Sequence, residues 1–469
     1  MYKKVFSIFL LILSINTGNS QRVVTIDEVH KNILSNSNKS KIIENDFLKS
    51  NIQSTFYRIS LLPKVSVSVN LPYQRSITEI IQTNGSQKFI ERNFLNSSMN
   101  LSISQVVPFT GGTLSLSSSL NNALDFNNKI SSFSSNWGNI SYYQTINGYN
   151  SFKWSKKLNP LRIRKNSIDY LKQKLKLKYE VSKLYSETQL IQLKIELIQQ
   201  NVIKTEKLLF ELEEKFKLGR ITKIELEQVK IALEQFRGEL EVNILQYNSG
   251  VEVLKDMIGS AVNEDLYLTP IIQEDFFIDK DLLIKAILDN DFDIEKAIKI
   301  LEIDSNADKI KKEGAVSVNL QLGLGLNSTA SDLSNLYNTP SQSQFITIGT
   351  KIPILDWGKA RKNYNLAKLE KENLELMLNE EEEEIGEHTN EMMNYKLTLT
   401  LQKKSLEKQI QLYKSITEMY EELLKRGRKT VVEYKTHLAE SFSIMVEYQK
   451  IVNNLYLLKL KIDEINLKL

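Results

Sequence analysis

Side chains equipped for chemistry are scarce in this chain. Its 469 residues include no cysteine, which excludes disulfides, thiolate metal sites, cysteine nucleophiles and a lipid-bearing N-terminal cysteine. The three histidines, His30, His388 and His437, are too scattered along the sequence to suggest a metal or acid–base constellation. The densest group of carboxylates is the run Glu380 to Glu384, but five consecutive residues project all around a helix and do not converge on a cation. No nucleophile with a matched base stands out, so a secreted hydrolase has no support and neither a catalytic residue nor a cofactor is assigned. Lys and Arg number 61 against 57 Asp and Glu. That near balance argues against nucleic acid as a partner, because such binding rests on a large positive surplus.

The remaining signal lies in the elements. Seventeen glycines and seven prolines are few for this length, and long stretches hold neither, so long helices are expected. One begins at Pro160 and runs to Leu218. In it Leu184, Ile191, Ile195, Ile198, Val202, Leu209, Leu212 and Phe216 follow one alternating three/four spacing, with Thr188 and Thr205 filling the gaps, which makes a heptad seam. A helix of roughly 85 Å at 1.5 Å per residue cannot bury a globular core and must lie along partners. Gly219-Arg220-Ile221-Thr222 interrupts it, and a second helix follows from about Lys223 to Ile258. The plan recurs: a helix from about Lys359 to Arg426, a break at Gly427, and another from about Val431 almost to Leu469. Shorter helical patterns cover Ile26 to Ser60 and Lys280 to Lys312, each directly before strand-like sequence.

Those strand-like stretches have period two. Val65, Val67, Val69 and Leu71 alternate with Lys64, Ser66, Ser68 and Asn70, and Leu101, Ile103, Gln105 and Val107 repeat the pattern. Leu114, Leu116 and Leu120 stand among serines, followed by Ile140, Tyr142 and Ile146. In the second half Val316 to Leu326 alternates without a fault, and Ile346, Ile348 and Ile352 form its return strand. One apolar face and one small or polar face suit a barrel with lipid outside and water inside. Gln74 to Asn96 and Ser328 to Ser343 read as polar outer loops, and Pro108 to Gly112 as a tight inner turn. The chain opens with Lys3 and Lys4, an apolar run from Val5 to Ile15 and small or polar Gly18 to Ser20, the layout of a secretory signal cleaved before Gln21. That run is too short for a core needing about 20 residues, so a membrane-spanning mature chain is expected to cross as a closed sheet.

Lys217-Leu218-Gly219-Arg220-Ile221-Thr222-Lys223-Ile224-Glu225 can be laid on Lys425-Arg426-Gly427-Arg428-Lys429-Thr430-Val431-Val432-Glu433 with Gly, Arg, Thr and Glu coinciding. A helix, a strand hairpin, a long helix, this turn and another long helix thus occur twice, the mark of a tandem duplication. With Leu62-Pro63 before the first strand, Ile352-Pro353-Ile354-Leu355-Asp356-Trp357-Gly358 where strand becomes helix, and Leu254 to Gly259 closing the first repeat, the chain resembles the TolC-type outer-membrane efflux family over about Val24 to Leu469.

The resemblance implies a mainly α fold with β: a trimeric outer-membrane β-barrel continued by a long periplasmic α-helical barrel, built from a tandem repeat. After a signal peptide at 1–20, the first repeat would span 21–278, with barrel strands in 64–146 and long helices in 160–258. The second would span 279–469, with strands in 315–352 and long helices in 359–466. It implies an exit duct in a tripartite efflux pump, a homotrimer surrounded by outer-membrane lipid, fed with small molecules by an inner-membrane transporter through a periplasmic adaptor (membrane fusion protein). The outer-membrane component of a one-step (type I) protein or peptide secretion system is the alternative, and a periplasmic coiled-coil scaffold without a pore a further one. By resemblance Gly219, Arg220 and Thr222 with Gly427, Arg428 and Thr430 form the adaptor-docking tip. The acidic tip position falls on Glu225 and Glu433 and its basic partner on Lys429, which together would gate the tube, while Thr436 occupies a further acidic position of the family. The chain departs from the family's two barrel strands per repeat: Thr113 to Ile146 adds two strand-like stretches, closed by a second exit motif, Gln144 to Gly148.

Overall fold

In the computed structural model, residues 22–83, 85–258, 266–426 and 428–468 are described. The expected signal segment, Met1 to Ser20, lies outside them, as do Gly427 and the end of the Leu254–Gly259 motif. The chain forms two compact units, each drawing on both halves of the sequence.

The unit built from Leu48–Asn166 and Asp293–Glu381 holds one antiparallel sheet. Its strands are β2 (Lys64–Asn70), β3 (Tyr73–Ile81), β4 (Gln87–Val107), β5 (Gly112–Asp125), β6 (Ile130–Ile146), β8 (Ser317–Ala330) and β9 (Ser341–Lys351). The order is β2-β4-β5-β6-β8-β9, and β3 continues the line of β2 along the other half of β4. Six strand positions are therefore filled, with the extra stretches between Thr113 and Ile146 inside the sheet as β5 and β6. The inner turn forms as expected, with Gly111 at φ +76°. Gln74 to Asn96, expected as a loop, is instead the β3–β4 hairpin. Charged Arg75, Glu79, Glu91 and Arg92 disguise its alternation, and Arg75 pairs with Glu91 across the strands. The loop expected from Ser328 likewise shortens, because β8 runs on to Ala330 and β9 starts at Ser341.

Two of the helix boundaries also moved. The stretch Ile26 to Ser60 is broken into α1 (Ile26–Asn36) and α2 (Asn38–Ser60) by Ser37, an extended residue whose hydroxyl accepts the Ser40 N–H at 3.0 Å. That is an N-cap signal inside an apolar pattern. Helix α3 (Ser151–Lys217) starts nine positions before Pro160, which sits within it. Asn150 sets the start by accepting from the backbone N–H groups of Phe152 (3.1 Å) and Lys153 (3.2 Å).

The other unit takes residues up to Phe47, Ser167–Phe292 and Glu382 onward. It contains most of α3, α4 (Lys223–Ile258), α5 (Lys280–Ile287), most of α7 (Lys359–Lys425) and α8 (Val431–Ile465), while α6 (Asp293–Glu313) belongs with the sheet. Two short parallel strands, β1 (Arg22–Val24) and β7 (Leu266–Leu268), cross its core. Val24, Val29, Ile33, Val181, Tyr185 and Leu254 are among the residues that bury each other there. The Tyr185 hydroxyl lies 2.9 Å from the Val24 carbonyl and 2.8 Å from that of Thr269, tying the strands to α3. The buried stripe of α3 is more polar than the expected seam: Ile198, Leu212, Thr188 and Thr205 are buried as expected, but so are Ser182, Gln192 and Asn201, whereas Phe216 stays exposed. Gln192 satisfies both backbone groups of Leu268, accepting its N–H at 2.8 Å and donating to its carbonyl at 3.0 Å.

Candidate functional site: a two-faced sheet and two matched helical turns

Residues opposite one another in an antiparallel sheet share a face, so the register converts sequence alternation into rows. On one face Val65, Ile103, Leu116, Ile140 and Leu324 form a continuous row across five strands. These side chains point away from any core, with Val65 at 62%, Ile140 at 57% and Leu324 at 66% exposure. Apolar positions Val318 to Leu326 continue at every second residue, a band of about 27 Å along the strand at 3.4 Å per residue.

The opposite face is polar and free of charge through its middle. Ser66, Ser102, Ser117, Asn139, Gly325 and Ser343 make one row over all six positions. Ser68, Asn100, Ser119, Asn136, Asn327 and Ser341 make the next. Nearer the helices, the row from Lys64 and Ser104 ends at Gly323 opposite Phe345, where an added Cβ would overlap the ring. Hydroxyl and amide groups at this density hydrate well and discriminate little between cations and anions. At its two edges, β2 and β9, the sheet has no strand partner among the described residues.

Around the two Gly-Arg-x-Thr motifs the described residues repeat one pattern of hydrogen bonds. At the first, Gly219 takes φ +69° and the Arg220 N–H closes onto the Lys215 carbonyl at 2.9 Å; at the second, the Arg428 N–H reaches the Leu423 carbonyl at the same 2.9 Å. This i to i−5 bond is the Schellman closure of a helix C-terminus. Each following helix opens with a capping box. Thr222 Oγ1 accepts the Glu225 N–H at 3.3 Å while Glu225 Oε2 accepts the Thr222 N–H at 2.8 Å. Thr430 and Glu433 repeat this at 3.3 and 2.9 Å. The paired elements also match in length, 67 residues for both α3 and α7, with 36 for α4 and 35 for α8.

This geometry places the expected tip residues plainly. Arg220 and Arg428 are exposed, and Thr222 and Thr430 are caps. Glu225 is held by Thr222, and Lys429 is joined to Glu433 at 2.7 Å. Thus Lys429 pairs with a carboxylate of its own turn, and the Glu225 carboxylate accepts from the Thr222 backbone and hydroxyl of the other. The Lys429 ammonium, then the Thr430 backbone and hydroxyl, hold the Glu433 carboxyl down near 2. Sequence reasoning missed what lies behind Lys429. Its ammonium stands 5.4 Å from the Tyr420 ring centroid, and Tyr420 stacks on His437 at 4.6 Å, with Tyr413 also stacked on that imidazole at 5.3 Å. The signal was available as Tyr413 and Tyr420 seven apart on one helix face, which reads as ordinary packing. Glu380 to Glu384 lie in α7 and are all exposed, and His388 is an exposed neighbour of Glu391.

Residues 283–448 match the model of the outer membrane efflux protein family. The resemblance to the TolC-type outer-membrane efflux family holds. No curated protein matches the chain. Among solved structures, the CmeC outer membrane channel of Campylobacter jejuni is similar over 97% of this chain and 90% of its own, at 16% identity and TM-score 0.68. The outer membrane protein VceC of Vibrio cholerae is similar over 94% and 96%, at 9% identity and TM-score 0.67. The MtrE outer membrane channel of Neisseria gonorrhoeae, in its open state, is similar over 97% and 93%, at 14% identity and TM-score 0.61. At these identities the likeness is one of fold, and it extends over nearly the whole of each chain.

Proposed function

We propose that this protein is the exit duct of a tripartite efflux pump, three copies of which close one barrel in the bacterial outer membrane and extend into the periplasm as a helical tube. The observation that carries this reading is the sheet: one face an exposed apolar band, the other polar and uncharged through its middle, and both edges unpaired among the described residues. In lipid, an unpaired backbone group costs several kcal/mol, so the edges demand further strands, and other copies of the chain supply them. The apolar face then meets acyl chains and the polar face a water-filled lumen. A soluble scaffold has no use for such a sheet. The CmeC and MtrE channels named by their structures give the same direction. Purified in detergent, the protein should scatter light as three chains and give discrete conductance steps in planar bilayers; a well-folded monomer that conducts nothing refutes the reading.

The matched turns serve in this proposal as the periplasmic tip. Gly219, Thr222 and Thr430 build the turns, with Gly427 matching Gly219 in sequence, while Arg220 and Arg428 are left exposed for the adaptor that links the duct to its inner-membrane transporter. Reversing both arginines should leave the oligomer intact and reduce adaptor cross-linking. The gate rests on the clasp of Lys429 and Glu433, with Glu225 shaping the neighbouring turn. Lys429→Ala should raise single-channel conductance, and equal conductance removes the clasp from gating. The equal helix lengths and the repeated turn support an origin by duplication with repeats at 21–278 and 279–469.

A further inference from the structure

Helices that open after the sheet carry charges of the wrong sign for their own stability. A helix N-terminus has a partial positive charge and favours Asp or Glu in its first turn. Helices α4 and α8 obey, with Glu225 and Glu433. Helices α3 and α7 have no acidic residue in the first turn. Instead α3 opens with Lys153, Lys156 and Lys157, and α7 with Lys359, Arg361 and Lys362, all exposed. The nearest carboxylate in sequence, Asp356, is occupied by the backbone N–H groups of Gly358 and Ala360, both at 2.9 Å.

Each basic group adjoins a bare aromatic ring at the same end of the sheet. Phe109, on the β4–β5 turn, is 95% exposed, and Trp357, after β9, is 84% exposed beside Ile354 at 93%. The Phe109 turn is bolted to α3 by Asn150, which donates to the Pro108 carbonyl at 3.0 Å while capping the helix, so ring and lysines are held together. Gly111 packs against that same Asn150 side chain with no room for a Cβ. Both rings lie just beyond the last strand positions at this end of the sheet. An aromatic at the edge of an apolar band followed by exposed bases is the pattern of an interfacial anchor, and each base near an anionic surface adds about 1 kcal/mol, or roughly fivefold in affinity.

We infer that Phe109 with Lys153, Lys156 and Lys157, and Trp357 with Lys359, Arg361 and Lys362, form two anchors per copy that bind anionic phospholipid headgroups of the membrane leaflet on the helix side of the sheet. The inference rests on the channel reading, which fixes that leaflet, and it adds a lipid preference. The full-length protein is mixed with phosphatidylcholine vesicles lacking or containing phosphatidylglycerol, and flotation is measured against lipid concentration. The wild type is expected to favour the phosphatidylglycerol vesicles. Lys359→Gln/Arg361→Gln/Lys362→Gln and Lys153→Gln/Lys156→Gln/Lys157→Gln should each reduce that preference by about tenfold or more, while both variants still conduct in bilayers. These changes relieve the helix dipole, so folding is spared. Equal flotation with both vesicles, or an undiminished preference in the variants, overturns the inference with the channel untouched. Loss of assembly in Trp357→Ser with an unaltered lipid preference overturns it too, and assigns the ring to contact between copies. A wild type that floats with neither vesicle and gives no conductance removes the channel reading instead.

Discussion

His30 should make the protein acid-sensitive in a calculable way. It is 6% exposed, stacked on Tyr456 at 6.4 Å, and its Nε2 lies 2.6 Å from Ser182 Oγ. Ser182 donates its own proton to the Lys178 carbonyl, so its oxygen accepts from Nε2–H. Burial first, then the charge of Lys178, pushes the imidazole from 6.5 down to about 4. A histidine whose folded value is depressed contributes its stability above 6.5 and loses it as pH falls toward 4, because the unfolded chain binds the proton first. Integrated over that window the loss is about 2 kcal/mol at pH 5 and about 3 kcal/mol by pH 4. Replacing the ring by an uncharged group that keeps a donor, His30→Gln, removes this term. Thermal unfolding of detergent-solubilised wild type and His30→Gln, followed by circular dichroism from pH 7 to 4, should show the wild type losing several degrees relative to the variant. Melting curves that stay parallel across the range refute a neutral, buried His30.

The capping boxes give a second test: Thr222→Ala and Thr430→Ala should each cost about 1 kcal/mol locally, Thr→Ser much less, read as faster hydrogen exchange in the first turn of α4 or α8. Gly323→Ala should impair assembly because its Cβ overlaps the Phe345 ring, and Phe345→Ala should restore assembly in the double variant, scored by oligomer yield. Single cysteines at Asn127 or Asn128, in the turn between β5 and β6, should be labelled from outside intact cells, while cysteines at Leu116 and Ile140 on the apolar face should resist a charged reagent. Asn139→Asp sets a carboxylate into the uncharged row, and should shift the reversal potential in a KCl gradient toward cation selectivity; an unshifted potential would place that row outside the conducting path.

Much of this architecture could be read from spacing. Alternation placed β2, β5, β6, β8 and β9 because each sorts its side chains between an apolar and a polar face of the sheet. The turns were visible because Gly219 needs a positive φ and Thr222 and Thr430 need oxygen at a cap, demands that few other residues meet. What misled was polarity without context. Arg75 and Glu91 look like a loop until they are seen to neutralise one another across a hairpin, and Pro160 looks like a start until Asn150 is seen to cap the helix earlier. The Lys429–Glu433 clasp is four residues long and was legible in principle; a partner in the other repeat obscured it. The stacking of Tyr420 on His437 is tertiary and left no mark in the local pattern.

The two bare edges of the sheet have a consequence for how the protein reaches the membrane. A barrel made from one chain can insert alone, since its first strand pairs with its last. In the proposed duct the outer edges of β2 and β9, which have no strand partner among the described residues, are matched only when other copies arrive, so a lone subunit is barred from lipid and insertion is coupled to assembly. Insertion should then rise more steeply than in proportion to subunit concentration. A single subunit with a damaged β9 edge should also poison the intact subunits it joins, so that such an allele is dominant over the wild type.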